Sequence, residues 1–245
     1  VEKSFIDSTI KEYLAEQFFC SLPVLEEDNT TFTINSLSKS PYIKTMAFNK
    51  CVIINTSESI HLKVKSALSG KNRDEIFEFP FVYGQTIHYI PDVKKFQKLP
   101  LLNEYSYELL QGNDINKLKG ISGFDNSLSF DCNGNASTSI VFLAKKGDEI
   151  VGLAGAEMET EKLWELGIDV KPEYRKSGLG TKLVSNLTVD IIKQGIVPFY
   201  SASVTNIGSQ MVANRSGYIP YWIDTYGNIL DGSSPYNIFV KNLEL

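Results

Sequence analysis

The stretch Arg175-Lys176-Ser177-Gly178-Leu179-Gly180 constrains the fold of this chain more than any other. It follows an apolar run ending in Val170-Lys171-Pro172 and precedes an amphipathic run from Thr181. That order reads as strand, tight turn, glycine loop and helix start. Glycines at 178 and 180 let backbone approach a ligand with no Cβ in the way. The first amides of the helix lack intrahelical acceptors and carry the positive end of its dipole, which suits a pyrophosphate. Arg175 and Lys176 add positive charge at the same mouth. The loop reads as an anion holder.

Spacing decides among anion-binding loops. A Walker A loop needs Gly, four residues and then Gly-Lys-Ser/Thr, which this segment lacks, and the dinucleotide fingerprint needs a third glycine where Leu183 stands. What fits is Arg/Gln-x-x-Gly-x-Gly/Ala after a strand ending in a Val-x-Pro turn, here Leu166 to Thr181 with Val170, Pro172, Arg175, Gly178 and Gly180 in the matching places. Beyond Gly195 and Pro198, the β-prone run Phe199 to Val204 leads into Asn206, Ser209, Val212, Ala213 and the pair Gly217-Tyr218.

Together the two stretches resemble motifs A and B of the GCN5-related N-acetyltransferase (GNAT) superfamily. Asn206, Ser209, Val212 and Gly217-Tyr218 match motif B in type and spacing. The resemblance covers about Leu101 to the C-terminus. It implies an α+β fold, a mixed central sheet with splayed fourth and fifth strands flanked by helices, preceded by a smaller α/β N-terminal domain. It also implies acetyl-CoA as cosubstrate, a primary amine as acceptor, direct attack in a ternary complex, and no metal. The pyrophosphate would rest on the amides of Lys176, Ser177, Gly178, Leu179, Gly180 and Thr181, with Arg175 shaping the loop. Pantetheine would enter the splay against backbone at Ile168 and Val170, and Asn206 and Ser209 would meet its edge.

One position departs. The tyrosine that commonly serves this superfamily as general acid would fall at 213, where the chain has Ala213. In this it resembles a two-domain subgroup that includes zwittermicin-resistance-type acetyltransferases. An amine of lysine type has a pKa of about 10.4, so attack requires a group that takes a proton. Glu165 and Asp169 lie four residues apart on the motif A strand, hence on one face by alternation, with Glu165 the first candidate. Tyr200 and Ser203 on the next strand, and Tyr226 in a later loop, are the candidate acids. A thiol with a pKa of about 8.5 also leaves without one. The competing reading is a non-catalytic module of the same fold that binds CoA as a sensor or scaffold.

Composition narrows the partners. Acidic residues number 29 against 24 basic, a net charge of −5 that argues against bulk nucleic-acid binding. No apolar run approaches the roughly 20 residues of a membrane span, and no signal-peptide pattern opens the sequence. Cys20, Cys51 and Cys132 have no C-x-x-C spacing, so neither a disulfide frame nor a zinc site is expected and a cytoplasmic setting is. His61 and His88 read as structural. A homodimer is left open.

The chain reads as two domains, 1–100 and 101–245. In the first, apolar spacing from Ile6 to Phe19 predicts a helix over 2–22, and 31–34, 51–54 and 86–90 read as strands around a helix ending near Leu68. In the second, a strand over 105–110 and a helix from Asp114 to Leu118 precede a polar loop over 125–138. A hairpin (139–144 and 149–156), a strand over 162–170, the helix 178–194, a strand over 199–204, a helix over 207–216 and strands over 218–224 and 237–243 complete the order. The acidic run from Glu157 to Lys162 reads as a solvated turn.

Overall fold

The computed structural model describes residues 2–229. Its elements run α1 (Lys3–Gln17), β1 (Thr30–Ile34), β2 (Tyr42–Phe48), β3 (Cys51–Thr56), α2 (Glu58–Leu68), α3 (Arg73–Phe77), β4 (Thr86–Pro91), β5 (Ser106–Gln111), β6 (Thr138–Lys146), β7 (Glu149–Thr160), β8 (Leu163–Val170), α4 (Leu179–Lys193), β9 (Val197–Ser203), α5 (Ile207–Arg215), β10 (Tyr218–Asp224) and β11 (Asn228–Ile229). Contacts divide the described residues into two units: 2–9 with Tyr89–Pro220, and Ile10–His88 with 221–229. The chain passes between units inside α1, β4 and β10 rather than at the connector before Leu101.

The larger unit is built on the strand order β5-β6-β7-β8-β9, with β4 beside β9. Strands β5 to β8 pair antiparallel, and β8 pairs with β9 in parallel, so the sheet is mixed as expected. A parallel pair needs a crossover, which α4 supplies. Leu179, Leu183, Leu187 and Ile191 recur every fourth residue and are all buried. The helix sits tightly on the sheet: a Cβ at Gly152 would lie 3.0 Å from Leu183, and one at Gly180 would lie 3.4 Å from Ile168 and Val170. A second apolar cluster joins Ile115, Leu118 and Phe124 to Val141, Leu143 and Leu153.

Residues just before Leu101 are stitched into this unit by two buried polar side chains of α4. Leu99 N donates to Ser185 Oγ (3.1 Å), and Asn186 Nδ2 donates to Leu99 O (3.0 Å). Asp92 N donates to Gly217 O (2.9 Å).

In the smaller unit β3 lies between β1, parallel to it, and β2, antiparallel to it, and Trp222–Asp224 of β10 pair with β2. Ile60, Val64 and Leu68 of α2 pack into Ile43, Ala47, Val52 and Ile54. Buried Asp224 pairs with His88 (2.9 Å) and Lys44 (3.2 Å). Burial alone would raise its carboxyl, but the charge and hydrogen bonds of His88 and Lys44 outweigh it and hold Asp224 below the usual carboxylate range.

Several expectations change. The first helix stops at Gln17 rather than 22, because Phe19 turns left-handed (φ 52) and Pro23 starts a separate 3-10 turn. Strand β2 is an addition, reversed into β3 at Asn49 (φ 50). The segment over 114–118 is a 3-10 turn within Gly112–Leu118. The run from Glu157 to Thr160 is strand, not turn, because β7 stays paired with β8 as far as Thr160. The expected strand over 237–243 lies outside the described residues.

Replacing Asn186 with Ala removes bonds to both Leu99 O and Lys182 O. Urea unfolding of this variant is expected to show a loss of about 1–3 kcal/mol. An unchanged midpoint would mean that the stretch around Leu99 is not held this way.

Candidate active site

The parallel ladder between β8 and β9 has four registered pairs, from Leu163↔Val197 to Leu166↔Tyr200. Both strands continue past it, β8 to Val170 and β9 to Ser203, without pairing to each other. The strands therefore fork, as the resemblance implied. On one side Gly167–Val170 remain paired with β7. On the β9 side the groups of the alternate residue Ile168 are open, inside a sheet where an unpaired edge needs a partner.

At the end of β8 the glycine loop presents its amides. Lys176 (φ 64) and Gly178 (φ 83) are left-handed and Ser177 between them is not, an alternation that curls successive amides into a concavity. Among the described residues the amides of Lys176, Ser177, Gly178, Gly180 and Thr181 meet no protein acceptor, while Leu179 N donates to Ser177 Oγ (3.3 Å). Residues 175 to 178 are exposed. Arg175 Nε donates to Val170 O (2.8 Å), so this side chain braces the loop and occupies one of the strand carbonyls expected to face pantetheine. Gly180 is buried against β8, so its lack of a Cβ serves helix packing rather than ligand approach. A cavity of about 580 Å³ opens beside the loop, lined by Ser122, Gly123, Val170, Lys171, Tyr174 and Arg175.

The fork has two chemically different faces. Residues paired in a parallel ladder share a face, so Glu165, Gly167 and Asp169 look out with Phe199, Ser201 and Ser203. Leu166, Ile168 and Val170 look with Tyr200 toward the helices. On the first face the loop around Asn126 and Ser127 lies directly on the strands. A Cβ at Gly155 would lie 1.8 Å from Ser127 O, and one at Gly167 would lie 1.6 Å from Asn126 O. Asp169 accepts from Asn126 N (2.9 Å), Asn126 Nδ2 (2.7 Å) and Ser127 Oγ (2.8 Å), which makes it the anchor of that loop. Ser129 Oγ donates to Glu157, and Ser201 Oγ donates to Glu165 Oε1.

The remaining candidates fall as follows. Ser203 Oγ bonds Thr205 Oγ1 (3.1 Å) and accepts from Thr205 N (3.4 Å), closing the turn after β9. Asn206 caps α5, its Oδ1 accepting from Ser209 N (3.0 Å). On the helix face Tyr200 OH meets Ser209 Oγ at 2.7 Å. Burial pushes the Tyr200 phenol up to about 12, against a lowering from the Ser209 bond. Ala213 is buried, one turn beyond Ser209. Tyr226 belongs to the smaller unit and lies against Gly84. The loop contacts of Asn126 and Ser127 escaped the sequence reading. The signal was there in Gly155 and Gly167, because a glycine inside a strand marks close approach of another backbone.

Residues 109–218, from β5 into the first residue of β10, match the family model described as the acetyltransferase (GNAT) family. The match supports the GNAT acetyltransferase family for this segment, and the fold is the GNAT fold in the α+β class. A GNAT-family protein from Novosphingobium aromaticivorans is similar at 16% identity over 58% of this chain, with a TM-score of 0.44, and the match takes in 62% of that protein. A GCN5-related N-acetyltransferase-like protein from Streptococcus suis is 16% identical over 79% of this chain and 86% of its own, with a TM-score of 0.47. An aminoglycoside acetyltransferase from an uncultured soil metagenomic sample is 20% identical over 46% of this chain and 88% of its own, with a TM-score of 0.35. A search of curated proteins finds no match. Among the described residues no helix is long and apolar enough to cross a membrane, and no His, Cys, Asp and Glu group is arranged to hold a metal.

Two outcomes follow from this geometry. Gly167→Ala places a methyl group on the Asn126 carbonyl, so urea unfolding should lose about 1–3 kcal/mol and proteolytic cleavage within residues 124 to 130 should speed up. Wild-type behaviour in both would show that the loop does not rest on β8.

Tyr200 has a folded-state value above its unfolded value of about 10, so its contribution is whole below pH 10 and is lost as pH rises toward 12. The loss is on the order of 2–3 kcal/mol across that window. Tyr200→Phe should flatten the fall in stability between pH 10 and pH 12; an unchanged slope contradicts the assignment.

Proposed function

We propose that the larger unit is an N-acetyltransferase that moves an acetyl group from acetyl-CoA to a primary amine of a small molecule, by direct attack in a ternary complex. The single observation that carries this reading is the fork: a strand edge left open after Leu166↔Tyr200, continuous with a loop of unpartnered amides. These groups fit the coenzyme. The amides of Lys176, Ser177, Gly178, Gly180 and Thr181 hold the pyrophosphate, with Arg175 bracing the loop from behind. The backbone of Ile168 and the Val170 amide, which alternate away from β7, pair with the pantetheine, and Ser209, bonded to Tyr200 at the fork, lies beside that arm. When bound, acetyl-CoA supplies a thioester activated for attack.

The chain's own residues handle protons. A carbon–nitrogen bond forms as the carbon–sulfur bond breaks, and Glu165 takes the proton that the amine sheds. Asp169 keeps the loop over Asn126 and Ser127 in place, which leaves Glu165 as the base. On the other face neutral Tyr200 bonds Ser209, and the Ser209 hydroxyl steadies the departing thiolate by a hydrogen bond while solvent supplies the proton that the sulfur takes up. Ser203 is left to the turn after β9. The two-domain subgroup with zwittermicin-resistance-type acetyltransferases is supported by Ala213 and by the second unit. One observation favours a second reading. Ala213 is buried and carries no proton, as in a coenzyme-binding sensor or scaffold that has lost its chemistry.

Thermal shift with acetyl-CoA, alongside acetyl transfer to a panel of amino acids, diamines, polyamines and aminosugars, separates the two. The enzyme reading expects a coenzyme shift, turnover of at least one amine, and a kcat about 100-fold lower or less in Glu165→Gln. A shift without turnover supports the sensor, and no shift ends both readings.

A further inference from the structure

We infer that Ser201 is a positioning residue for Glu165, holding the carboxylate at the mouth of the fork in the one orientation that receives the amine's proton. This rests on the proposed role of Glu165 as base and adds to it a residue outside both motifs. The register sets the pair. Glu165 lies opposite Phe199, and Leu166↔Tyr200 is the last backbone pair, so Ser201 is the first residue of β9 past the fork on the Glu165 face. Its hydroxyl donates to Glu165 Oε1, bridging the strands by side chain where the backbone has stopped doing so. Among the described residues Oε2 is left without a protein partner.

Two features make this bond more than an accident of proximity. Glutamate has three side-chain torsions and much rotamer freedom to lose, whereas serine on a strand has one heavy-atom torsion. A strand-borne hydroxyl thus fixes a carboxylate that would otherwise wander at the edge of an open cleft. Glu165 also stands directly opposite Glu157 on β7, a like-charge cross-strand pair that repels. Ser129 draws Glu157 toward the loop while Ser201 draws Glu165 toward β9, so the two carboxylates are held apart by separate donors. The plainer alternative is a buttress, in which the bond merely keeps β8 and β9 together past their last pair.

The test uses the full chain, acetyl-CoA and whichever amine of the panel turns over fastest. Ser201→Ala should lower kcat about 10- to 100-fold while KM for acetyl-CoA stays within two-fold, roughly the loss of one hydrogen bond to a charged group. Ser201→Thr, which keeps the hydroxyl, should restore most of the rate, and Ser201→Ala should cost nothing further in a Glu165→Gln background. Ser201→Cys, close in volume and a weak donor, gives the same reading if the alanine variant folds poorly. A rise in acetyl-CoA KM with kcat preserved shows a buttress and overturns the inference. So does a full-rate Ser201→Ala beside a crippled Glu165→Gln, which leaves the base in place. A full-rate Glu165→Gln instead removes the base, and the inference with it.

Discussion

Everything at the candidate site depends on a parallel strand pair that stops after four residues. Backbone donors and acceptors inside a sheet are paired almost without exception, since a buried orphan costs about as much as a lost hydrogen bond. Strands that diverge in mid-sheet therefore expose a ladder to whatever can complete it. Here the divergence occurs just before the helix that joins the two strands, so the open edge of β8 leads into the amino end of α4. On the proposed reading, an extended ligand with amides along its length and phosphates at one end would meet matching groups in both places. The parallel connection produces this coincidence: a strand, its crossover helix and the next strand must bring the helix N-terminus to the carboxyl end of the first strand.

Much of this was legible in the sequence, and the reason is local. The glycine loop, its strand and its helix are consecutive, so spacing alone gives their order, and the buried stripe of α4 follows from leucines four apart. The mixed sheet follows from the same order. What could not be read depends on contacts distant in sequence. Asp169 looked like a second base because alternation places it on the Glu165 face, yet its oxygens serve Asn126 and Ser127, 43 and 42 positions away. Asn206 matched a motif and proves to be a helix cap, a role its residue type favours in any protein. Strand β2 was missed because Lys44 and Thr45 interrupt its apolar run, and pairing with both β3 and β10 overrides that weak signal.

Glycine does two jobs here that a motif does not separate. Gly178 takes a left-handed φ of 83 and turns amides outward, a conformation costly for other residues. Gly180, Gly152, Gly155 and Gly167 are glycine for lack of room: the first two let α4 settle on the sheet, and the last two let a loop carbonyl touch it from the other side. The strands of the fork are thereby clamped from both faces by backbone and helix at near-minimal separation. A rigid frame of this kind lets an open edge persist without collapsing.

The faces of the fork bear on the missing tyrosine. Helical side chains lean toward the N-terminus, so a side chain at 213 would point at the turn carrying Ser209. With Ala213 there, that direction is vacated, and the Tyr200 hydroxyl reaches Ser209 from the strand instead. Burial keeps the phenol protonated well past neutrality, so the Tyr200–Ser209 contact joins two neutral hydroxyls. Glu165 and Ser201 occupy the opposite face. A group threaded between β8 and β9 would then have its proton acceptor on one side of the sheet and a hydrogen-bond donor on the other. On the proposed reading no proton crosses such a slot, because the amine would shed its proton to Glu165 on one face and the thiolate would meet the Ser209 hydroxyl on the other. On the same reading the donor facing the sulfur stays on α5 at Ser209, one turn before Ala213, with Tyr200 bracing it from the strand.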